Sequence, residues 1–211
     1  MQTFSESLVA TSTFASNVLF WRISGYFDTA SELKPLIHTW SLAVEEQYYV
    51  FFPLFLMFAW RLGKSWIVGL LLVMFVGSLI IAQSLLATYP SFAFFMLPTR
   101  SWELLIGAFI AFYYAQHNIK KHNPVIEQLG SLIGLLLIAL AVFIYNDKTP
   151  FPGLYALAPT LGAALIIIFA THKTLVGKLL GSKPFVAIGL LSWKPLALLW
   201  APIKHRDPPA F

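Results

Sequence analysis

The sequence contains no cysteine in 211 residues, which excludes a disulfide framework and a thiolate-held zinc site. Charge is scarce too. Asp, Glu, Lys and Arg together make up 11% of the chain, against about 25% in soluble domains. No run of basic residues accompanies the net charge of +5. The lysines and arginines stand singly or in pairs between apolar stretches, which argues against nucleic acid as a partner and for topology signals facing anionic membrane lipid. The opening MQTFSESLVA lacks a positive n-region and carries Glu6, so it is not a secretory signal peptide. His117 and His122 flank a polar loop with neither a carboxylate cluster nor helical spacing, and no metal site is expected there. Internal repeats and low-complexity segments are absent. What the chain has in quantity is apolar surface: 58% hydrophobic residues and a mean hydropathy of +0.75.

These properties predict an all-α fold, a polytopic transmembrane helical bundle of about five to six membrane segments, held together by helix packing. Leu8 to Trp21 is apolar but short and interrupted by Thr11, Ser12, Thr13 and Ser16, and is expected to be the end of a helix begun further upstream. Arg22 to Lys34 reads as an external loop, with Pro35 in the first turn of the next helix. Spans are expected over Leu36 to Trp60 and over Trp66 to Ala87, the second uninterrupted and uncharged. Phe92 to Ala115 carries Pro98, Arg100 and Glu103. It predicts a short membrane-dipping piece, a break near Pro98 and a helix from Ser101 to Gln116. A polar loop from His117 to Gln128 precedes a fourth span, Leu129 to Tyr145. A fifth runs from Leu154 to Thr171, where Gly162, Ala163 and Ala164 supply a small-residue surface for close helix contact. A sixth apolar segment opens at Phe185.

The stretch with chemistry is His38 to Pro53, HTWSLAVEEQYYVFFP. Ionisable groups at membrane depth are costly and mark either a functional path or a paired structural lock. Helical spacing puts His38, Ser41 or Leu42, Glu45 and Tyr48 or Tyr49 on one face and turns Glu46 elsewhere. Such a face offers a base, a carboxylate to orient it and hydroxyl donors, the groups that acyl or proton transfer needs. The competing reading is that Glu45 and Glu46 sit near a helix N-terminus because the macrodipole favours them there. Arg100 and Glu103, three apart, either pair as a lock or place the guanidinium in the same cavity as Glu45, where it binds an anionic donor or acceptor.

The block HTWSLAVEEQYY resembles the signature of the acyltransferase 3 family, through Trp40, Ser41, Leu42, Glu45, Tyr48 and Tyr49. The run from Ser16 to Trp40 resembles the family's approach to that signature, and MLPTRSWELLIGA, Met96 to Ala108, a second family block. The resemblance extends from about Phe14 to about Ser192. It implies a single membrane domain over residues 1–211. The implied activity is O-acyl transfer, with acetyl-CoA or another acyl-CoA as donor, no bound cofactor, and a hydroxyl of a cell-surface glycan or lipid as acceptor, such as lipopolysaccharide or peptidoglycan. It names Glu45 and His38 as candidate catalytic residues. Trp40, Ser41, Tyr48, Tyr49, Arg100 and Glu103 are the candidates for substrate binding.

Two departures from the family pattern carry expectations. The family's main catalytic histidine lies on a membrane helix that would precede this region, so the chain is expected to lack its N-terminal catalytic helices and, alone, to transfer no acetyl group. After Ser192 the sequence WKPLALLWAPIKHRDPPAF leaves the family pattern, as a shifted reading frame or truncated gene would. Arg61 with Lys64, Lys120 with Lys121, and Lys173 with Lys178 all fall on one side of the expected topology, which is therefore cytoplasmic. The chain is placed in a bacterial plasma membrane with the His38 end external. A proton-coupled transporter built on Glu45 and an inactive structural membrane subunit are the alternative functions.

Overall fold

The computed structural model describes residues 2–23, 36–116, 123–146 and 149–190. The expectations for Pro35, for the rest of the loop up to Lys34, for the stretch from His117 to His122 and for the departure after Ser192 lie outside them. The described residues are helical, without strands.

The apolar run before Trp21 divides into two helices, α1 (Gln2–Ser12) and α2 (Ser16–Ile23). The cause is local. Thr11, Ser12 and Thr13 each turn a hydroxyl back onto the carbonyl four residues earlier, at 2.7, 2.8 and 3.0 Å, a pattern that weakens and bends helices. Phe14 then adopts a left-handed φ of 54°.

α3 (Thr39–Ala59) carries Pro53 inside it and tightens into a 3₁₀ turn at Trp60–Leu62. Gly63, at φ 93°, supplies a reversal that a residue with a Cβ adopts only under strain. α4 (Lys64–Leu85) returns directly from it.

α5 (Pro90–Phe95) and α6 (Leu97–Gln116) are separated by one extended residue, Met96, at φ −93° and ψ 142°. The interruption therefore falls two residues before Pro98, and α6 starts at Leu97 rather than Ser101. Proline lacks only an N–H that a first helical turn leaves unpaired anyway, so Pro98 is accommodated inside the new helix instead of ending it.

α7 (Pro124–Ile144) begins five residues earlier than hydropathy indicates. Asn123 caps it by accepting from the Val125 N–H at 3.0 Å, and Pro124 takes the first position, a pairing that starts helices irrespective of polarity. A 3₁₀ turn at Leu154–Ala156 leads into α8 (Leu157–Phe169), followed by the short α9 (Leu175–Leu180). Residues 183–190 are helical as well.

Four helical stretches are long and apolar enough to cross a membrane: Thr39–Leu62, Trp66–Leu85, Pro90–Ala115 and Pro124–Ile144. Leu154–Phe169 is apolar but shorter, so the described residues give four full-length spans and a short fifth, fewer than the five to six expected. Their outer surfaces are apolar: Phe143 is 86% exposed and Phe58 and Val142 are 70% exposed. Contiguous apolar surface on that scale is a liability in water and suits a lipid environment.

Inside, Ala59, Ile67, Leu71 and Leu105 join α3, α4 and α6. Ala82, Trp102 and Ala156 join α4 and α6 to the turn before α8. α7 and α8 cross closely through Gly134 and Gly162; a Cβ on either would stand 2.7 Å from the other's carbonyl oxygen. Of the expected small-residue surface, Gly162 and Ala164 are buried and Ala163 is exposed.

Candidate functional site

The start of α3 is fixed by α1 and α2. Ser16 donates to the Thr39 carbonyl at 2.9 Å, and the hydroxyls of Thr11 and Thr39 share a hydrogen bond of 3.1 Å. Asn17, 1% exposed, and Gln47 exchange amide hydrogen bonds of 3.3 and 2.9 Å, and Gln47 also donates to the Phe14 carbonyl at 2.9 Å. Asn17 donates in addition to the Phe95 carbonyl at 3.2 Å. The extended Met96 deprives that carbonyl of an ordinary helical partner, so an amide on α2 satisfies a group that the interruption would otherwise leave buried and unpaired.

The start of α6 is fixed by α4. The Ser78 hydroxyl donates to the Pro98 carbonyl at 2.6 Å and accepts from the Trp102 N–H at 3.1 Å, bridging two groups that a regular α-helix pairs directly. Thr99 and Ser101 donate to the Met96 and Leu97 carbonyls, both at 2.7 Å. These bonds set the direction in which Arg100 and Glu103 leave the helix.

Between the two fixed ends lies a cavity of about 80 Å³ lined by Trp40, Ser41, Val44, Glu45, Arg100, Glu103 and Leu104. Five residues singled out from sequence, on two helices and up to 63 positions apart (Trp40 to Glu103), thus share one site. The Arg100 Nη1 donates to Glu103 Oε1 at 2.7 Å, and both side chains line the cavity with Glu45, so the lock and the shared cavity are both present. Arg100 is 9% exposed. Its guanidinium carbon lies 5.0 Å from the Trp40 ring centroid, 5.1 Å from Phe94 and 5.2 Å from Phe151, within the range of favourable cation–π contact. Trp40 in turn packs on Phe94 at 4.6 Å and, edge to face, on Phe95 at 5.4 Å.

Three other candidates stand outside the cavity wall. His38 is exposed at the N-cap of α3. Seven residues separate it from Glu45, roughly 10 Å of helix. Tyr48 stacks on Phe52 at 4.8 Å and packs against the α3–α4–α6 core, its buried hydroxyl without a hydrogen-bond partner among the described residues. Tyr49 is 58% exposed on the outer surface. Sequence reasoning missed Val44, Leu104, Phe94 and Phe151. Val44 and Leu104 are apolar residues in apolar runs, and Phe151 belongs to a loop that no motif marks.

Chemically, the cavity brings two carboxylates and one guanidinium together among aromatic and aliphatic walls. Among the described residues Arg100 makes one hydrogen bond, which leaves most of its five donors for an oxygen entering the cavity. Preorganised donors of this kind stabilise charge that develops on an acyl oxygen.

An acyltransferase domain family model, acyltransferase 3, matches residues 4–192. An uncharacterized protein of Haemophilus influenzae is 30% identical over 167 residues, covering 73% of this chain and 66% of its own length. The "Putative O-acetyltransferase" of Staphylococcus aureus strain COL is 31% identical over 205 residues, covering 89% of this chain and 33% of its own. The "Putative peptidoglycan O-acetyltransferase YrhL" of Bacillus subtilis is 26% identical over 215 residues, covering 92% and 33%. The chain thus spans about two thirds of the Haemophilus relative and one third of the other two. No solved structure matches. The membrane-compatible helices and the family match define an integral-membrane protein of the acyltransferase class. The chain belongs to the acyltransferase 3 family.

Proposed function

We propose that this protein acts in membrane O-acyl transfer, moving an acetyl group from a CoA thioester to a hydroxyl of a cell-surface glycan, with the α3–α6 cavity as the place where the reacting groups meet. The observation that carries this reading is the convergence of Glu45 with the Arg100–Glu103 pair beneath Trp40. In the transfer, the acceptor oxygen attacks the thioester carbonyl, a C–O bond forms, the C–S bond breaks, and the hydroxyl proton passes to the departing thiolate. Glu45 receives or steers that proton, Arg100 steadies the oxyanion, and Glu103 holds Arg100 in place.

The size of the cavity bears on what enters. At about 80 Å³ it is roughly half the ~150 Å³ of a benzene-binding cavity, enough for an acetyl group or the reacting end of an acceptor but not for a whole sugar ring. The ring would remain outside, against Trp40 and Ser41, and His38 stands further out at the start of α3, where an acceptor would pass. Arg61 with Lys64 and Lys173 with Lys178 lie at the opposite end of the bundle, which we take as cytoplasmic. The donor then approaches from the plasma-membrane interior face and the acceptor from outside.

Membranes of cells that carry the gene, incubated with acetyl-CoA labelled in its acetyl group, should place alkali-labile label on surface glycan. Membranes of a deletion strain should not. Equal labelling of the two would contradict the proposal.

A further inference from the structure

We propose that Phe151, from the loop between α7 and α8, is a positioning residue of this site, its ring holding the Arg100 guanidinium against Trp40 and Phe94. The inference rests on the acyl-transfer reading and deepens it. An arginine side chain has a long flexible stem whose freedom must be lost before its donors are of use. Glu103 restrains one nitrogen at 2.7 Å. The Trp40 ring comes from α3 and the Phe94 ring from α5, the short helix before α6, whereas the third ring comes from 51 residues beyond Arg100. That ring can restrain the cation only if its own loop is fixed.

The loop is fixed on α4. Gln83 Oε1 accepts from the Leu154 N–H at 3.1 Å. Gly153 lies so close that an added Cβ would collide with Gln83 Oε1 and the Leu86 side chain. Pro152 and Gly153 are buried, Ala156 is 1% exposed against Ala82 and Trp102, and Tyr145 donates to the Tyr155 carbonyl at 2.8 Å. Phe151 therefore presents its ring from an anchored segment. The same α4 that sets α6 through Ser78 also sets the loop through Gln83, so both sides of the guanidinium are referred to one helix.

The test compares Phe151→Leu, which keeps an apolar side chain without a π face, with Phe151→Tyr and Phe151→Trp, which keep one. Each is placed in the chromosomal gene, with membrane abundance measured by immunoblot. At equal abundance, Phe151→Leu should lower the initial rate of acetyl labelling about tenfold, a loss on the scale of a desolvated cation–π contact, and Phe151→Tyr should restore at least half of it. A merely space-filling role predicts instead that Phe151→Trp, the larger change in volume, loses more than Phe151→Leu, whereas the clamp predicts that Phe151→Trp keeps more activity than Phe151→Leu. Wild-type rates in Phe151→Leu, or equal losses in Leu and Tyr at normal abundance, would overturn the proposal. If Phe151→Leu does not accumulate, Gln83→Leu decides: it should slow labelling by releasing the loop, and an unchanged rate counts against the role.

Should the wild-type membranes transfer no acetyl group, the functional reading fails, and the clamp is judged by thermal midpoints of the detergent-purified protein. Phe151→Leu and Arg100→Met should then lower the midpoint together by less than the sum of their separate effects, because partners in contact are coupled. Additive effects would refute the clamp by itself.

Discussion

Replacing Gly134 by alanine should loosen the crossing of α7 and α8, and the expected size follows from two opposing effects. A Cβ at residue 134 would lie 2.7 Å from the Gly162 carbonyl oxygen, 3.0 Å from Ile166 Cγ1 and 3.1 Å from the Ile166 nitrogen. Two of these neighbours are backbone, which cannot turn aside as a side chain does. Ordinary contact begins at 3.4 Å, so α8 must move by about 0.7 Å, and overpacking of this kind costs about 1–3 kcal/mol. Against that, alanine is favoured over glycine within a helix by up to about 1 kcal/mol. Gly107 in α6 has nothing within 4 Å of its built Cβ, so Gly107→Ala should show the favourable effect alone. The two variants should therefore differ by about 1–3 kcal/mol, or some 2–12 °C at about 2–4 °C per kcal/mol. The assay is the midpoint for loss of monodisperse, detergent-purified protein on heating. A Gly134→Ala midpoint at or above that of Gly107→Ala would refute the close crossing.

Ser78→Ala should remove the hydroxyl that bonds both the Pro98 carbonyl and the Trp102 N–H and so ties the start of α6 to α4. A destabilisation of about 1–3 kcal/mol is expected, read as a lower thermal midpoint together with slower acetyl labelling, and no change in either would contradict the role given to Ser78. The absence of cysteine makes sidedness directly measurable. Thr88→Cys should react with an impermeant maleimide in intact cells, whereas Arg61→Cys should react only after permeabilisation, and the reverse pattern would invert the proposed topology.

The spans were legible because hydropathy reports them without help from tertiary contacts, and α4, with no charge between Trp66 and Leu85, is the plainest example. Helix starts were less legible where polar residues lie inside the first turn, as at Pro124 to Gln128, since the Asn123 cap and Pro124 override the polarity pattern. Within the site, helical periodicity put Ser41 and Glu45 on one face, and both line the cavity; Trp40, which lines it too, was singled out by the family signature and not by spacing. The same face was expected to continue to Tyr48 or Tyr49, which lie outside the cavity wall, because a small cavity at one end of a helix is left behind within one turn, about 5 Å of rise. Periodicity along a single helix carries no information about what faces it. The meeting of Glu45 with Arg100 depends on the Ser78 and Asn17 hydrogen bonds between helices, and the approach of Phe151 on the seating of Gly153 against Gln83.

The two adjacent carboxylates of α3 offer the most direct test of the central claim, because Glu45 lines the cavity with Arg100 and Glu46 does not. Base-labile O-acetyl content of the cell-surface glycan should be measured in strains carrying Glu45→Gln or Glu46→Gln in the chromosomal gene, at matched membrane abundance. The account predicts that Glu45→Gln falls to the level of the deletion strain and that Glu46→Gln stays within twofold of wild type. Wild-type O-acetylation in Glu45→Gln, or equal losses in both strains, would contradict it.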